Sequence, residues 1–165
     1  MKDTLNFILA GSEVKRYHTV TTLMTETVGH HSHGVAMLIL LMNPDASADV
    51  ISFALMHDLA ECETGDIPSP AKKRFGINEQ ISIDEKKIML SHGLKLPYLS
   101  REERRLLKLA DIAQGALFCL REMELGNSKI RLVFDRYIEY SEALKPVGEE
   151  KTLFNIIKEK ANECE

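Results

Sequence analysis

Apolar residues recur at three- and four-residue steps along most of the chain, and no pair of alternating β-branched runs joined by a two-residue turn interrupts them. The pattern predicts an all-α fold. A short first helix is expected over residues 4–10, stopped by Gly11, and then an irregular stretch over 14–28 with a cluster of threonines ahead of Gly29. A second helix is predicted over about 30–42, broken by Asn43-Pro44, and a third over about 47–62, ending before Gly65; their short connection should pack them antiparallel. Gly65-Asp66-Ile67-Pro68-Ser69-Pro70 reads as a rigid loop, because its two prolines remove backbone donors and restrict their neighbours. A helix over about 78–92 ends at Gly93 and Pro97, and Ser100 with Glu103 forms a capping box for a long helix running to Gly126. Two last helices, over about 128–144 and 148–161, carry apolar positions at helical spacing but no candidate chemistry, so they should complete the core or an oligomer interface.

Composition narrows this picture. With 165 residues, 44% of them apolar, the chain has material for one full core, and residues 1–165 are expected to form a single domain. The longest unbroken apolar run, residues 35–42, is far shorter than the roughly 18 residues of a membrane span. No basic-then-apolar signal opens the chain, and Cys62, Cys119 and Cys164 share no metal or redox spacing, so a soluble cytoplasmic protein is expected. A net charge of −4 argues against binding nucleic acid polymers, which takes a broad basic surface. Basic residues gather only locally, at Lys15-Arg16 and Lys72-Lys73-Arg74, where a small anion could be met.

The candidate chemistry centres on His57-Asp58, which ends a largely apolar run and is followed by Glu61 and Asp66. Imidazole and carboxylate donors suit Zn, Mn, Co or Fe, but two ligands do not close a shell. Upstream, Gly29-His30-His31-Ser32-His33 brings imidazoles to the start of the second helix; helical neighbours point in different directions, so His30, His31 and His33 cannot all be ligands, and periodicity does not choose among them. Downstream, Asp111 lies inside the apolar helical stretch beginning Leu106-Leu107-Lys108-Leu109-Ala110. Burying an unpartnered carboxylate costs several kcal/mol, roughly, so this acid calls for a cation. On a continuous third helix His57 and Glu61 would share a face, and Asp58, Glu61, Glu63 and Asp66 would crowd a helix C-terminus whose dipole already disfavours negative charge.

The order His31, His57-Asp58, Asp111 resembles the H…HD…D signature of HD-domain metal-dependent phosphohydrolases. The likeness extends over roughly residues 14–115: Arg16-Tyr17, Glu26-Thr27-Val28-Gly29-His30-His31-Ser32, His57-Asp58-Leu59-Ala60-Glu61 and Gly65-Asp66-Ile67-Pro68-Ser69-Pro70-Ala71-Lys72 are similar to successive motifs of bacterial 5′-deoxynucleotidases and phage dATP triphosphohydrolases. The resemblance implies an HD-domain helical bundle in which His31, His57, Asp58 and Asp111 hold a divalent ion, Zn, Co or Mn with Mg as a further option. It implies Glu61 and Asp66 as an acid/base pair, and Arg16, Lys72 and Lys108 as holders of phosphate oxygens, Lys72 also aiding the reaction. Tyr17, Thr19 and Pro70 complete the implied substrate-binding set. Two positions depart from the relatives: Tyr17 stands where Trp is common, and His30 where Glu often precedes the ligand histidine. The implied substrate is a deoxynucleotide. Hydrolysis of dATP to deoxyadenosine and triphosphate is the first expectation and 5′-dephosphorylation of deoxynucleoside monophosphates the alternative; an HD phosphodiesterase and a non-catalytic helical module rank lower. Relatives of this kind assemble as dimers or larger rings, so a homo-oligomer is expected.

Overall fold

The computed structural model describes residues 1–164. Its helices run in the order α1 (Lys2–Ser12), α2 (Val28–Met42), α3 (Ala48–Met56), α4 (Glu61–Thr64), α5 (Ser69–Phe75), α6 (Asn78–Ser91), α7 (Arg101–Glu124), a 3-10 turn (Ser128–Ile130), α8 (Arg131–Ala143) and α9 (Gly148–Asn162). Among the described residues the only β pairing is an isolated antiparallel bridge between Lys15 and Thr27. The all-α expectation therefore holds. No helix of the described residues is long and apolar enough to cross a membrane.

Helix α7 is the central element, packing against α2, α3, α8 and α9. Its start is set by the expected capping box, in which the Ser100 hydroxyl accepts from Glu103 N–H and the Glu103 carboxylate accepts from Ser100 N–H. The main core joins Val35 and Ile39 of α2, Val50 and Ala54 of α3, Leu109 and Ala113 of α7, Phe134 of α8 and Phe154 of α9. Thr27 caps α2 and Ser47 caps α3 through side-chain oxygens that accept backbone N–H bonds. A second cluster, Phe7, Leu59, Ala60 and Met89, fastens α1 and α6 to the turn after α3.

Three departures from the expected elements shape the site. The third helix stops at Met56, residues 57–60 form a turn, and a separate short helix begins at Glu61. Apolar periodicity continues through the break, so the pattern hides it, and the single acidic helix face expected for His57, Asp58 and Glu61 does not exist. Gly11 does not end α1; it lies inside the helix, where a Cβ would stand 2.7 Å from the Leu59 carbonyl oxygen. Its smallness lets α1 press on the turn carrying Asp58. Finally, the rigid loop is shorter than expected, since Ser69-Pro70 open α5. Proline is tolerated in a first helical turn, where its missing N–H costs no intrahelical bond.

Candidate active site

The His57-Asp58 turn, the first turn of α2 and the middle of α7 converge on one point. Single donor atoms of His31, His57 and Asp58 lie within 4.8 Å of one another. His57 Nε2 is 3.3 Å from Asp58 Oδ2, and His31 Nε2 is 3.7 Å from the same oxygen and 3.3 Å from Asp111 Oδ1. The helix phase set by Thr27 resolves the histidine cluster: His31 is fully buried, while His30 and His33 are exposed.

Both imidazoles are locked by their other nitrogen. The Ala54 carbonyl accepts from His57 Nδ1 at 2.7 Å, so in the neutral ring Nε2 carries only a lone pair. Gln114 does the same for His31. Its Nε2 donates to Glu26 Oε1 at 2.6 Å, which turns its carbonyl oxygen toward His31 Nδ1 at 2.5 Å. The Nε2 atoms of His31 and His57 are buried without a hydrogen-bond partner. Two bare imidazole lone pairs facing carboxylate oxygens have no donor between them, and such an arrangement is stable around a cation. The donor set, two nitrogens and two oxygens, fits a divalent metal ion.

Charge is arranged in pairs around this point. Arg16 Nη1 donates to Asp58 Oδ2 at 2.9 Å while Arg16 Nε lies 3.3 Å from Glu26 Oε2. Arg16 and Glu26 are brought side by side by backbone bonds from Arg16 N–H to the Glu26 carbonyl and from Val28 N–H to the Val14 carbonyl. Lys108 donates to Asp111 Oδ2 at 2.6 Å, and Lys72 on α5 lies 3.5 Å from Glu85 on α6. Burial works against the Asp58 and Asp111 charges, but the protonated form of His57 and Arg16 around the first, and Lys108 and the protonated form of His31 around the second, outweigh it and hold both carboxyls below their ordinary value. Glu61 behaves oppositely. Buried at the start of α4, it is pushed up to about 9 by desolvation and then by the charges of Asp58 and Asp66. Asp66 is 3.9 Å from the half-exposed His18, across an open groove of about 510 Å³ between residues 14–18 and 64–68.

Tyr17 begins the loop that follows Arg16. Its φ of 58° is left-handed, a conformation that costs a non-glycine residue about 1 kcal/mol or more. The cost is met by contacts: one ring face stacks on Phe118 at 4.5 Å, and its hydroxyl shares a 2.9 Å hydrogen bond with that of Tyr137. Tyr137 comes from α8, which on sequence grounds carried no candidate chemistry, and it approaches over Gly115, where a Cβ would lie 2.5 Å from the Tyr137 ring. Thr19 is exposed on the same loop, and Pro70 is exposed at the start of α5. Sequence reasoning missed Glu26, Gln114, Glu85 and Tyr137. Glu26 stood inside a quoted motif, and Gln114 lies one turn after Asp111 on the same face; Glu85 and Tyr137 gave no such signal.

An all-α scaffold that gathers two imidazoles and two carboxylates from distant helices, rimmed by arginine and lysines, is that of a divalent-metal protein. Residues 12–109 match the HD-domain family, and the chain belongs to that family. It is 30% identical to a 5′-deoxynucleotidase of Enterobacter sp. (strain 638), over 74% of each chain, and 30% identical to another of Pectobacterium atrosepticum, over 72% of each. Its fold is similar to the HD phosphohydrolase DatZ of cyanophage S-2L, solved with dA and one catalytic Zn2+ ion (TM-score 0.66, 19% identity, 96% of each chain). It is equally similar to the PH0347 protein of Pyrococcus horikoshii (TM-score 0.65, 19% identity, 98% of this chain and 99% of that one).

Proposed function

We propose that residues 1–165 act as one HD domain that hydrolyses deoxynucleotides, with His31, His57, Asp58 and Asp111 holding a divalent ion, Zn, Co or Mn, or alternatively Mg. The observation that carries this reading is the pair of buried Nε2 atoms of His31 and His57, which have no hydrogen-bond partner and converge with Asp58. An ion bound there would supply positive charge for a phosphoryl oxygen and acidify a water. The chain's own groups do the rest. Arg16 and Lys108 bind phosphate oxygens beside Asp58 and Asp111, and Lys72 offsets charge as it grows in transition. Glu61, whose surroundings favour its protonated form, gives a proton to the leaving oxygen, and Asp66 accepts one from the attacking water. Tyr17, Thr19 and Pro70 flank the nucleoside.

Charge pairing supports a monophosphate substrate. Arg16, Lys72 and Lys108 each already face a carboxylate, so little positive charge is left for a chain of three phosphates. The curated relatives named 5′-deoxynucleotidase support the same substrate length. The dATP triphosphohydrolase reading is favoured by the likeness in fold to the dA-bound cyanophage enzyme and by exposed Lys73 and Arg74 beside Lys72. Exposed Met37, Leu40 and Leu41 on α2 support self-association, and the free cysteines support a cytoplasmic setting.

The test is product analysis with each dNMP, NMP, dNTP and NTP in the presence of Mn or Co. Phosphate from dNMPs with NMPs spared is the expected result; triphosphate and deoxyadenosine from dATP would establish the longer substrate. Turnover of none of them would leave a signalling nucleotide or a non-catalytic module.

A further inference from the structure

Five side chains from four parts of the chain close into a ring: His31, Gln114, Glu26, Arg16 and Asp58. Its links are 2.5 Å from His31 Nδ1 to Gln114 Oε1, 2.6 Å from Gln114 Nε2 to Glu26 Oε1, 3.3 Å from Arg16 Nε to Glu26 Oε2 and 2.9 Å from Arg16 Nη1 to Asp58 Oδ2. The ring then returns to His31 at 3.7 Å from Asp58 Oδ2. Glu26 is nearly fully buried and faces Gln114 with one oxygen and Arg16 with the other. Space for Gln114 is built in: a Cβ on Gly34 would lie 2.8 Å from Gln114 Cγ.

We infer that Glu26 and Gln114 are positioning residues, with Gln114 fixing His31 as an Nε2 donor and Glu26 tying that donor to the phosphate-binding Arg16. The inference rests on His31 being a metal ligand. An amide alone could present either end to an imidazole; beside Glu26, which accepts at that contact, only its oxygen faces His31. His31 must then keep its proton on Nδ1 and its lone pair on Nε2. Partners that fix a ligating histidine in this way are worth about 10- to 100-fold in metal affinity. Glu26 has a second duty that Gln114 lacks, because its other oxygen makes a 3.3 Å charge contact with Arg16 Nε, short of hydrogen-bond geometry, and leaves Nη1 for Asp58. The two residues should therefore separate kinetically: Gln114 acts on the metal, and Glu26 on the metal and on phosphate binding.

The experiment is titration of chelator-treated wild type, Gln114→Met, Glu26→Gln and the swap Glu26→Gln/Gln114→Glu with Co2+, following the visible spectrum and the heat of binding, with KM measured at saturating metal. Gln114→Met should bind Co2+ about 10- to 100-fold more weakly with an altered spectrum. In the swap, the amide at 26 donates to the carboxylate at 114, which accepts from His31 Nδ1, so Co2+ affinity should return toward wild type while KM stays raised through Arg16. Co2+ binding by wild type and by folded Gln114→Met with equal affinity and spectrum would overturn the assignment alone. Failure of the swap to recover affinity above Gln114→Met would overturn it too. Failure of wild type to bind Co2+ would overturn the metal reading itself.

Discussion

Glu122, at the far end of α7 from Asp111, offers a sharp test of how the loop carrying Tyr17 and Thr19 is held. It is fully buried, and one carboxylate oxygen accepts from Met24 N–H at 2.7 Å while the other accepts from Leu23 N–H and from Asn127 Nδ2, each at 2.7 Å. Glu122→Gln keeps the shape but leaves one acceptor oxygen. In the better of the two amide orientations, the new NH2 faces Met24 N–H, orphaning a buried donor at about 1–3 kcal/mol, and two charge-assisted bonds become neutral, a loss of about 1 kcal/mol each. The total is roughly 3–5 kcal/mol, or about 10 °C in Tm for a chain of this size. Burial works against the Glu122 charge, but hydrogen bonds from Asn127, Leu23 and Met24 outweigh it, so the carboxyl sits below its ordinary value. A depressed folded-state value means that the stabilisation is present above the unfolded value and is lost as pH falls through the folded one. Calorimetric scans of wild type and variant should therefore diverge at neutral pH and converge in acid. Equal Tm values at neutral pH, or a gap that widens in acid, would refute the reasoning.

Glu61 titrates with the opposite sign. With its folded value raised from 4.5 to about 9, metal-free wild type should lose stability as pH rises between those values, and Glu61→Gln should abolish that loss, melting above wild type at pH 9 in chelator. The same variant should retain metal yet show no turnover, measured by metal titration and phosphate release. Gly115→Ala places a Cβ 2.5 Å from the Tyr137 ring and should lower stability by about 1–3 kcal/mol, read from urea unfolding, and that penalty should shrink when the same substitution is made in a Tyr137→Ala background.

How far the sequence reads the site depends on the range of each contact. His57-Asp58, Glu61 and Asp66 are close in sequence, and Asp111 stands out as an acid in an apolar helix, so all were visible as chemistry. Periodicity did not say which histidine turns inward, because that depends on where Thr27 starts α2; the motif resemblance alone pointed to His31. The break after Met56 was hidden because apolar periodicity runs on through it, while the close fit of Gly11 on Leu59 of that turn is a long-range contact that no local pattern reports. Gln114 reaches Glu26 across 88 positions and Tyr137 reaches Tyr17 across 120, and no periodicity reports such contacts. The α5 helix shows a milder failure: two prolines signal a loop, yet Pro70 falls in a first turn, where proline is at home.

The most direct test of the central claim is phosphate or triphosphate release from deoxynucleotides by chelator-stripped protein as Mn2+ or Co2+ is added back, beside Asp58→Asn. Activity absent without metal, rising to a plateau at one ion per chain and lost in Asp58→Asn, is the result expected of a metal centre at His31, His57, Asp58 and Asp111. Hydrolysis that is equal with and without metal, or that survives undiminished in Asp58→Asn, would contradict it.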